Sequence, residues 1–246
     1  MRKDRPDLNA DLGEGYPNDA ALLDYLDRCS IACGGHAGNL RTMRATLEAA
    51  AARGVACGAH PSYPDREGFG RRSIAMDEDR LIDAIGYQIG SLQERAAQAG
   101  VPIVHVKPHG ALYNDAAGDR RKADAILKAM DRAAPGAALI GPPGSQLEKA
   151  ARDRDAPFLA EGFVDRNYLS DGSLAPRDQP DALLEQPDAV SVRVTALAKG
   201  QSIPSIDGAS IVLRVQTLCV HGDTPGALAL AAAARRALDM IRAGPP

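Results

Sequence analysis

The chain has 246 residues, with 29 basic and 32 acidic side chains and a formal net charge of -3. Hydrophobic residues make up 45% and charged residues 25%, which supplies an ordinary core and excludes disorder as the main state. That balance leaves no footprint for nucleic acid or an anionic membrane, and the length fits one barrel-like α/β domain over 1–246.

Alanine occurs 45 times, Trp is absent and Phe occurs 3 times, so the core is built from small and aliphatic side chains. Cys29, Cys33, Cys57 and Cys219 form no C-x-x-C pair and read as reduced thiols of a cytoplasmic protein. Met1–Pro6 is charged and leads into no apolar leader segment. No apolar run reaches the ~18 residues of a membrane span, and the alanine-rich stretch 227–234 is too short.

In chain order, a strand is predicted at 7–12, a helix from Asp19 to Arg28 and a short strand at Ile31–Cys33. Asn39 caps a helix over 40–53 whose apolar face carries Leu40, Met43, Leu47, Ala50 and Ala51, and Gly54 stops it. Val55–Cys57 begins the next strand. The Pro/Gly-rich, charged segment 61–75 reads as a functional loop. Asp77 caps a long helix to Ala99, a strand follows at Ile103–Lys107, and Ala111–Asn114 continues its loop. A helix near 120–134, a strand at Ala137–Ile140, a capping box at Ser145–Glu148 and a strand at Phe158–Ala160 come next. The segment 190–199 fits both periods, and helix is favoured. Ile211–Cys219 is the last strand, and Thr224-Pro225 opens a helix to Arg242. This alternation gives about seven strands without a linker, hence a parallel sheet or barrel.

All five histidines (His36, His60, His105, His109, His221) fall at or just after predicted strand ends, the side that carries the site in a parallel barrel. Period-two alternation puts Asn9 and Asp11 on the face opposite Leu8, Ala10 and Leu12, with Glu14 just beyond. His105, Lys107 and His109 share one face. Three buried bases are costly without a purpose, and the Lys is suited to an anion. Tyr113, Asn114, Glu161, Asp165 and Arg166 add hydrogen-bonding and charged groups at other strand ends. Thr217, Cys219 and His221 alternate onto one face. Arg71 and Arg72 lie in a glycine-hinged loop able to close over a phosphate or carboxylate. Asp11, His36 and His60 could converge on a metal, though nothing in their spacing demands it. No Walker A loop, dinucleotide fingerprint, nucleophile elbow or zinc-protease helix occurs, and Gly141-Pro-Pro-Gly144 holds too much proline for a phosphate cradle.

Eight segments together resemble the LamB/YcsF family. They are Asp7-Leu-Asn-Ala-Asp-Leu-Gly-Glu-Gly15, Ile31-Ala-Cys-Gly-Gly-His-Ala-Gly38, Gly58-Ala-His-Pro61, Tyr63-Pro-Asp65, Gly68-Phe-Gly-Arg-Arg72, Val106-Lys-Pro-His-Gly-Ala-Leu-Tyr-Asn114, Glu161-Gly-Phe-Val-Asp-Arg166 with Tyr168, and Cys219-Val-His-Gly-Asp223. They run in family order over nearly the whole chain. Gly35 stands where an aromatic is usual, Asn39 where Asp is usual and Ala10 where Cys is common.

The resemblance implies a distorted seven-stranded (β/α) TIM-like barrel of the glycoside hydrolase/deacetylase type, helical around 190–199. It implies an enzyme, the A component of a prokaryotic 5-oxoprolinase. That enzyme opens the lactam of 5-oxo-L-proline to L-glutamate, coupled to hydrolysis of ATP with Mg2+, and works with subunits B and C. On this reading Asp11, Glu14, His60, Lys107 and His109 are catalytic. Asp11 or Glu14 is the base, with His60 as helper, and Lys107 and His109 stabilise anionic oxygens. Asn9, His36, Arg71, Arg72, Tyr113, Asn114, Glu161, Asp165, Arg166 and His221 bind substrate. The alternatives are a stand-alone metal-dependent deacetylase and a non-catalytic protein that only binds 5-oxoproline. A bound divalent metal in this chain and a homo-oligomer are left open, and stoichiometric zinc with partner-independent deacetylation favours the deacetylase.

Overall fold

The computed structural model describes residues 5–243, so the expectation for the charged N-terminus falls largely outside the described residues. Seven parallel strands close into a barrel. They are β1 (Asp7–Leu12), β2 (Arg28–Ala32), β3 (Ala56–His60), β4 (Ile103–Val106), β5 (Ala138–Gly141), β6 (Phe158–Phe163) and β9 (Thr217–Cys219). A separate antiparallel hairpin pairs β7 (Ser202–Pro204) with β8 (Ser210–Val212). The helices are α1 (Asp19–Leu22), α2 (Leu40–Ala51), α3 (Glu78–Ala99), α4 (Gly110–Gly118), α5 (Arg120–Ala133), α6 (Gln146–Asp153), α7 (Pro187–Ala198) and α8 (Ala227–Ala243).

The alternation along the strands decides what lies inside. In β1 the outward Leu8, Ala10 and Leu12 are fully buried under helices, while Asn9 and Asp11 point inward. At the lower end of the barrel Arg28 Nε donates to Asp7 Oδ2 at 2.8 Å. One layer higher the His105 ring lies across the barrel with Nε2 3.2 Å from Ser30 Oγ. A Cβ on Gly58 would come within 2.2–2.5 Å of that ring, so the glycine makes room for His105 where the β3–β4 register shifts. Small side chains let the outer helices pack closely, as with Ala231, Ala234 and Ala237 of α8, all at most 1% exposed.

Local signals explain the helix starts. Asn39 Oδ1 accepts from the backbone N–H groups of Arg41 and Thr42, at 2.9 and 3.1 Å. Asp77 caps α3 and Ser145 caps α6 in the same way. Glu148 turns back to the Gly144 N–H rather than to Ser145, so the box closes one residue early.

The structure corrects several expectations. The first helix ends in a 3-10 turn at Tyr25, because Arg28 already belongs to β2 and its side chain turns into the barrel. Leu40 and Ala51 of α2 are exposed and not on the buried face. Ala111–Asn114 is helical, within α4, and not loop. Ile211–Cys219 is not one strand: Leu213–Gln216 separates β8 of the hairpin from β9 of the barrel. The segment 190–199 is helical to Ala198.

Candidate functional site

A cavity of about 690 Å3 opens at the strand C-termini, within the range of small-molecule sites. Its floor is a knot of buried charge. Lys107 Nζ lies 3.0 Å from Asp11 Oδ1 and 2.9 Å from Glu161 Oε1, with Cys219 Sγ at 3.2 Å. Glu161 is held from below: Asn9 Nδ2 donates to Oε1 at 3.0 Å, and the Tyr113 hydroxyl donates to Oε2 at 2.9 Å. Asn9 is oriented in turn by Thr217 Oγ1 at 2.7 Å. Burial works against both charges, yet His60 and Lys107 hold Asp11 well below the usual carboxylate range, and Asp11, Cys219 and Glu161 keep Lys107 above the usual amine range. Lys107 is therefore a fixed cation.

Beside this knot, Glu14 meets three imidazoles. His36 Nε2, His109 Nδ1 and His60 Nε2 lie 3.0, 3.4 and 3.7 Å from Glu14 Oε1. The rings of His36 and His109 stack at 3.7 Å. His60 Nδ1 is 2.7 Å from the Lys107 carbonyl, and His109 Nε2 is 2.8 Å from the Phe69 carbonyl. A carbonyl only accepts, so those two nitrogens carry the protons. Burial and the neighbouring imidazoles push His36 down, and push His109 down to about 3. Burial, then Asp11, Asp223 and Asp19, push Glu14 well up. Glu14, His36, His60 and His109 each offer a donor atom within 4.8 Å of the others; Asp11, Cys219 and His221 form a second such group. Of the expected Asp11–His36–His60 triad, His36 and His60 gather with Glu14 and His109, while Asp11 groups with Cys219 and His221 and still stands 3.3 Å from His60 Nε2.

The rim carries a third set. Asp165 accepts from His221 Nδ1 at 2.9 Å, from the His221 backbone N–H at 2.9 Å and from Thr224 Oγ1 at 2.7 Å. His221 also stacks on Phe163, which leaves Nε2 for the cavity that it lines. Arg71 and Arg177 converge on Asp223, at 2.5 and 3.0 Å. Arg166 Nη2 donates to the Ala175 carbonyl at 2.6 Å, while its buried Nε has no partner.

The loop 61–75 is seated on this site. Gln88 of α3 grips Ser62 by two backbone bonds, and Ala111 N–H donates to the Gly70 carbonyl at 2.9 Å. Gly35, with no side chain, lies against that grip: a Cβ there would come 2.2 Å from Gln88 Oε1.

Asp11, Glu14, His60, Arg71, Lys107, His109, Tyr113, Asn114, Glu161, Arg166 and His221 all line the cavity. Asn9, His36 and Asp165 lie behind it and hold those that do. Arg72 does not join them: it turns outward and its Nε bonds Asp65 Oδ2 at 3.0 Å. His105 lies a layer below, against Ser30. Sequence reasoning missed the wall at 168–177 with Arg177, and also Pro142–Ser145 at the start of α6. Residues 166–183 carry only isolated bridges, Arg166 with Leu183 and Tyr168 with Leu174, so no periodicity marks them.

Comparisons with known proteins identify the family and the fold. The LamB/YcsF family model matches residues 6–243. The chain is 44% identical over 238 residues to the third 5-oxoprolinase A chain of Pseudomonas syringae pv. tomato, covering 95% of this chain and 93% of that one. It is 44% identical to the 5-oxoprolinase A chain of Bacillus subtilis, covering 94% and 92%. The crystal structure of the lactam utilization protein from Thermus thermophilus superposes with a TM-score of 0.89 at 37% identity, covering 98% and 97%. By the family-model match and by its identity to these relatives over nearly its full length, this chain belongs to the LamB/YcsF family.

Proposed function

We propose that this chain is the A component of an ATP-dependent 5-oxoprolinase, which hydrolyses 5-oxo-L-proline to L-glutamate while ATP becomes ADP and phosphate. The observation that carries the reading is Lys107, a cation fixed between Asp11 and Glu161 on the floor of a roomy cavity. It stands in a chain matching proteins named as 5-oxoprolinase components over nearly its full length.

The chemistry follows from the lactam, a stable amide with a poor leaving group. The lactam oxygen takes the γ-phosphoryl group of ATP, and ADP departs. Water adds to the ring carbon and gives its proton to a base. The C–N bond then breaks, with a proton delivered to nitrogen, and the ring opens as an acyl phosphate. A second water releases phosphate and leaves the new carboxylate of glutamate.

Lys107 stabilises charge growing on the ring oxygen. Asp11, held acidic, is a weak base, and its part is to aim Lys107. The proton goes to His221, whose tautomer Asp165 fixes. Glu14, His60 and His109 face the same space and hold the water. Arg166 and Arg71 receive the substrate carboxylate or the transferred phosphoryl group, with Tyr113 and Asn114 beside them.

For ATP itself the fit is partial. The arginines suit phosphate, but Pro142 and Pro143 lack N–H groups and the Gly144 N–H is already bonded to Glu148. The nucleotide and its Mg2+ are therefore assigned largely to partner subunits B and C, and the complex to the cytoplasm. Among the described residues no helix is long and apolar enough to cross a membrane. The test is 5-oxoproline-dependent release of phosphate from ATP, assayed with this chain alone and with subunits B and C. Turnover only in the mixture supports the reading. Release of acetate from an acetylated sugar by the chain alone overturns it.

A further inference from the structure

We propose that Glu14, His60 and His109 form a resident site for one borderline divalent cation of the Zn2+, Co2+ or Fe2+ class, with its open positions facing the cavity. The site follows from where the imidazole protons lie, and it holds whether or not the reaction above is the right one.

His60 Nδ1 lies 2.7 Å from the Lys107 carbonyl, and His109 Nε2 lies 2.8 Å from the Phe69 carbonyl. Each contact consumes that ring's one proton in its neutral form. The remaining nitrogens, His60 Nε2 and His109 Nδ1, both carry lone pairs, yet they face each other at 3.0 Å. Glu14 Oε1 completes the triangle at 3.7 and 3.4 Å, and Asp11 Oδ2, already bound to Lys107, stands 3.3 Å from His60 Nε2. With Glu14 ionised, these facing acceptors repel unless a metal ion or a proton lies between them. Donors bound at ~2.0–2.2 Å from one ion stand about 3.0–3.5 Å apart, close to the observed edges.

The surroundings match what ligating histidines need. Backbone carbonyls fix both tautomers from the outer side, as outer partners of metal-bound imidazoles do. His36 is not the third imidazole ligand. Its ring is parallel to that of His109 within 4°, so the two in-plane lone pairs cannot aim at one point. Its Nε2 instead reaches Glu14 Oε1 at 3.0 Å and steadies the carboxylate. Two imidazoles and one carboxylate favour a borderline metal over Mg2+, which prefers oxygen. This ion is therefore separate from any Mg2+ that arrives with ATP. Glu14, His60 and His109 all line the cavity, so the remaining coordination positions are open to water or substrate.

The rival occupant is a proton, carried by the Glu14 carboxyl or by one of the imidazoles. Chelator-stripped wild-type chain titrated with Co2+ separates the two. The expected result is one Co2+ per chain, visible d–d absorption, displacement by Zn2+ and paramagnetic shifts largest on the ring protons of His60 and His109 and the side-chain protons of Glu14. Glu14→Gln and His109→Ala should each weaken Co2+ binding about 100-fold or more, and His36→Gln about 10-fold. The wild-type spectrum and shifts decide the matter even where a variant fails to fold. Folded wild-type chain that binds Co2+ no tighter than ~1 mM overturns the proposal, as does binding left unchanged in folded Glu14→Gln.

Discussion

Replacing Lys107 by Met removes one charge and keeps most of the side-chain volume. In the wild type Nζ lies 3.0 Å from Asp11 and 2.9 Å from Glu161, with all three side chains at most 10% exposed. The variant leaves two buried carboxylates sharing one space with no cation between them. Breaking a buried ion pair from one side costs about 3–5 kcal/mol. For a chain of this length each kcal/mol lowers Tm by roughly 2–4 °C, so a fall of about 6–20 °C is expected near pH 7.5. The deficit should shrink as pH falls through the upper carboxylate range, because protonation of one acid removes the repulsion. The double variant Lys107→Met/Glu161→Gln should recover more than half of the loss. Thermal melts by circular dichroism over pH 5–8 provide the assay, with turnover in the reconstituted complex alongside. Turnover should drop at least about 100-fold in both variants. A single variant melting within about 2 °C of wild type at pH 7.5, or one whose deficit grows on acidification, would show that Lys107 is not the cation that holds the two acids together.

The rim acid Asp165 sets a different pH signature. Burial would raise its carboxyl, but His221, the His221 backbone N–H and Thr224 bring it below the usual range. A depressed folded pKa contributes stability above the unfolded value and loses it as pH falls through the folded one. Asp165→Asn should therefore cost about 2–4 kcal/mol at pH 7, and the gap to wild type should narrow below about pH 4 in denaturant titrations. Equal gaps at both pH values would contradict this. Arg71→Ala should raise the KM for 5-oxoproline or ATP about 10-fold or more, whereas Arg72→Ala, turned outward onto Asp65, should leave both constants within about twofold. Equal losses in steady-state assays would show that the loop carries both arginines inward. Asn39→Ala should lower stability by about 1 kcal/mol without changing turnover, since Asn39 is an exposed cap of α2 and no base. A large loss of kcat in that variant would contradict the assignment.

Much of the fold was legible because inward and outward residues of a parallel barrel differ in kind. The alternation in Asn9–Leu12 and in His105–His109 marked the interior face, and glycine and capping signals fixed α2, α3 and α6. The failures were tertiary. Arg28 reads as the polar end of a helix until Asp7 is seen beside it across the barrel floor. Helix α4 hides behind Pro108-His109-Gly110 and is buried over Ala111, Leu112, Tyr113 and Ala116, which erases its amphipathic stripe. Arg71 and Arg72 look equivalent in sequence, and only the turn of the backbone sends one to Asp223 and the other to Asp65. The clustering of Glu14 with His36, His60 and His109 joins the C-terminal ends of four strands, contacts that no local pattern encodes.

If this chain supplies the lactam-opening site of an ATP-driven complex, product formation must depend on it. The decisive assay follows glutamate and phosphate formed from 5-oxo-L-proline and ATP by the purified chain, by subunits B and C together, and by all three. One glutamate per phosphate is expected in the full mixture, and neither product from the chain alone. Full turnover by subunits B and C without this chain, or in a mixture carrying Lys107→Met, would contradict that role.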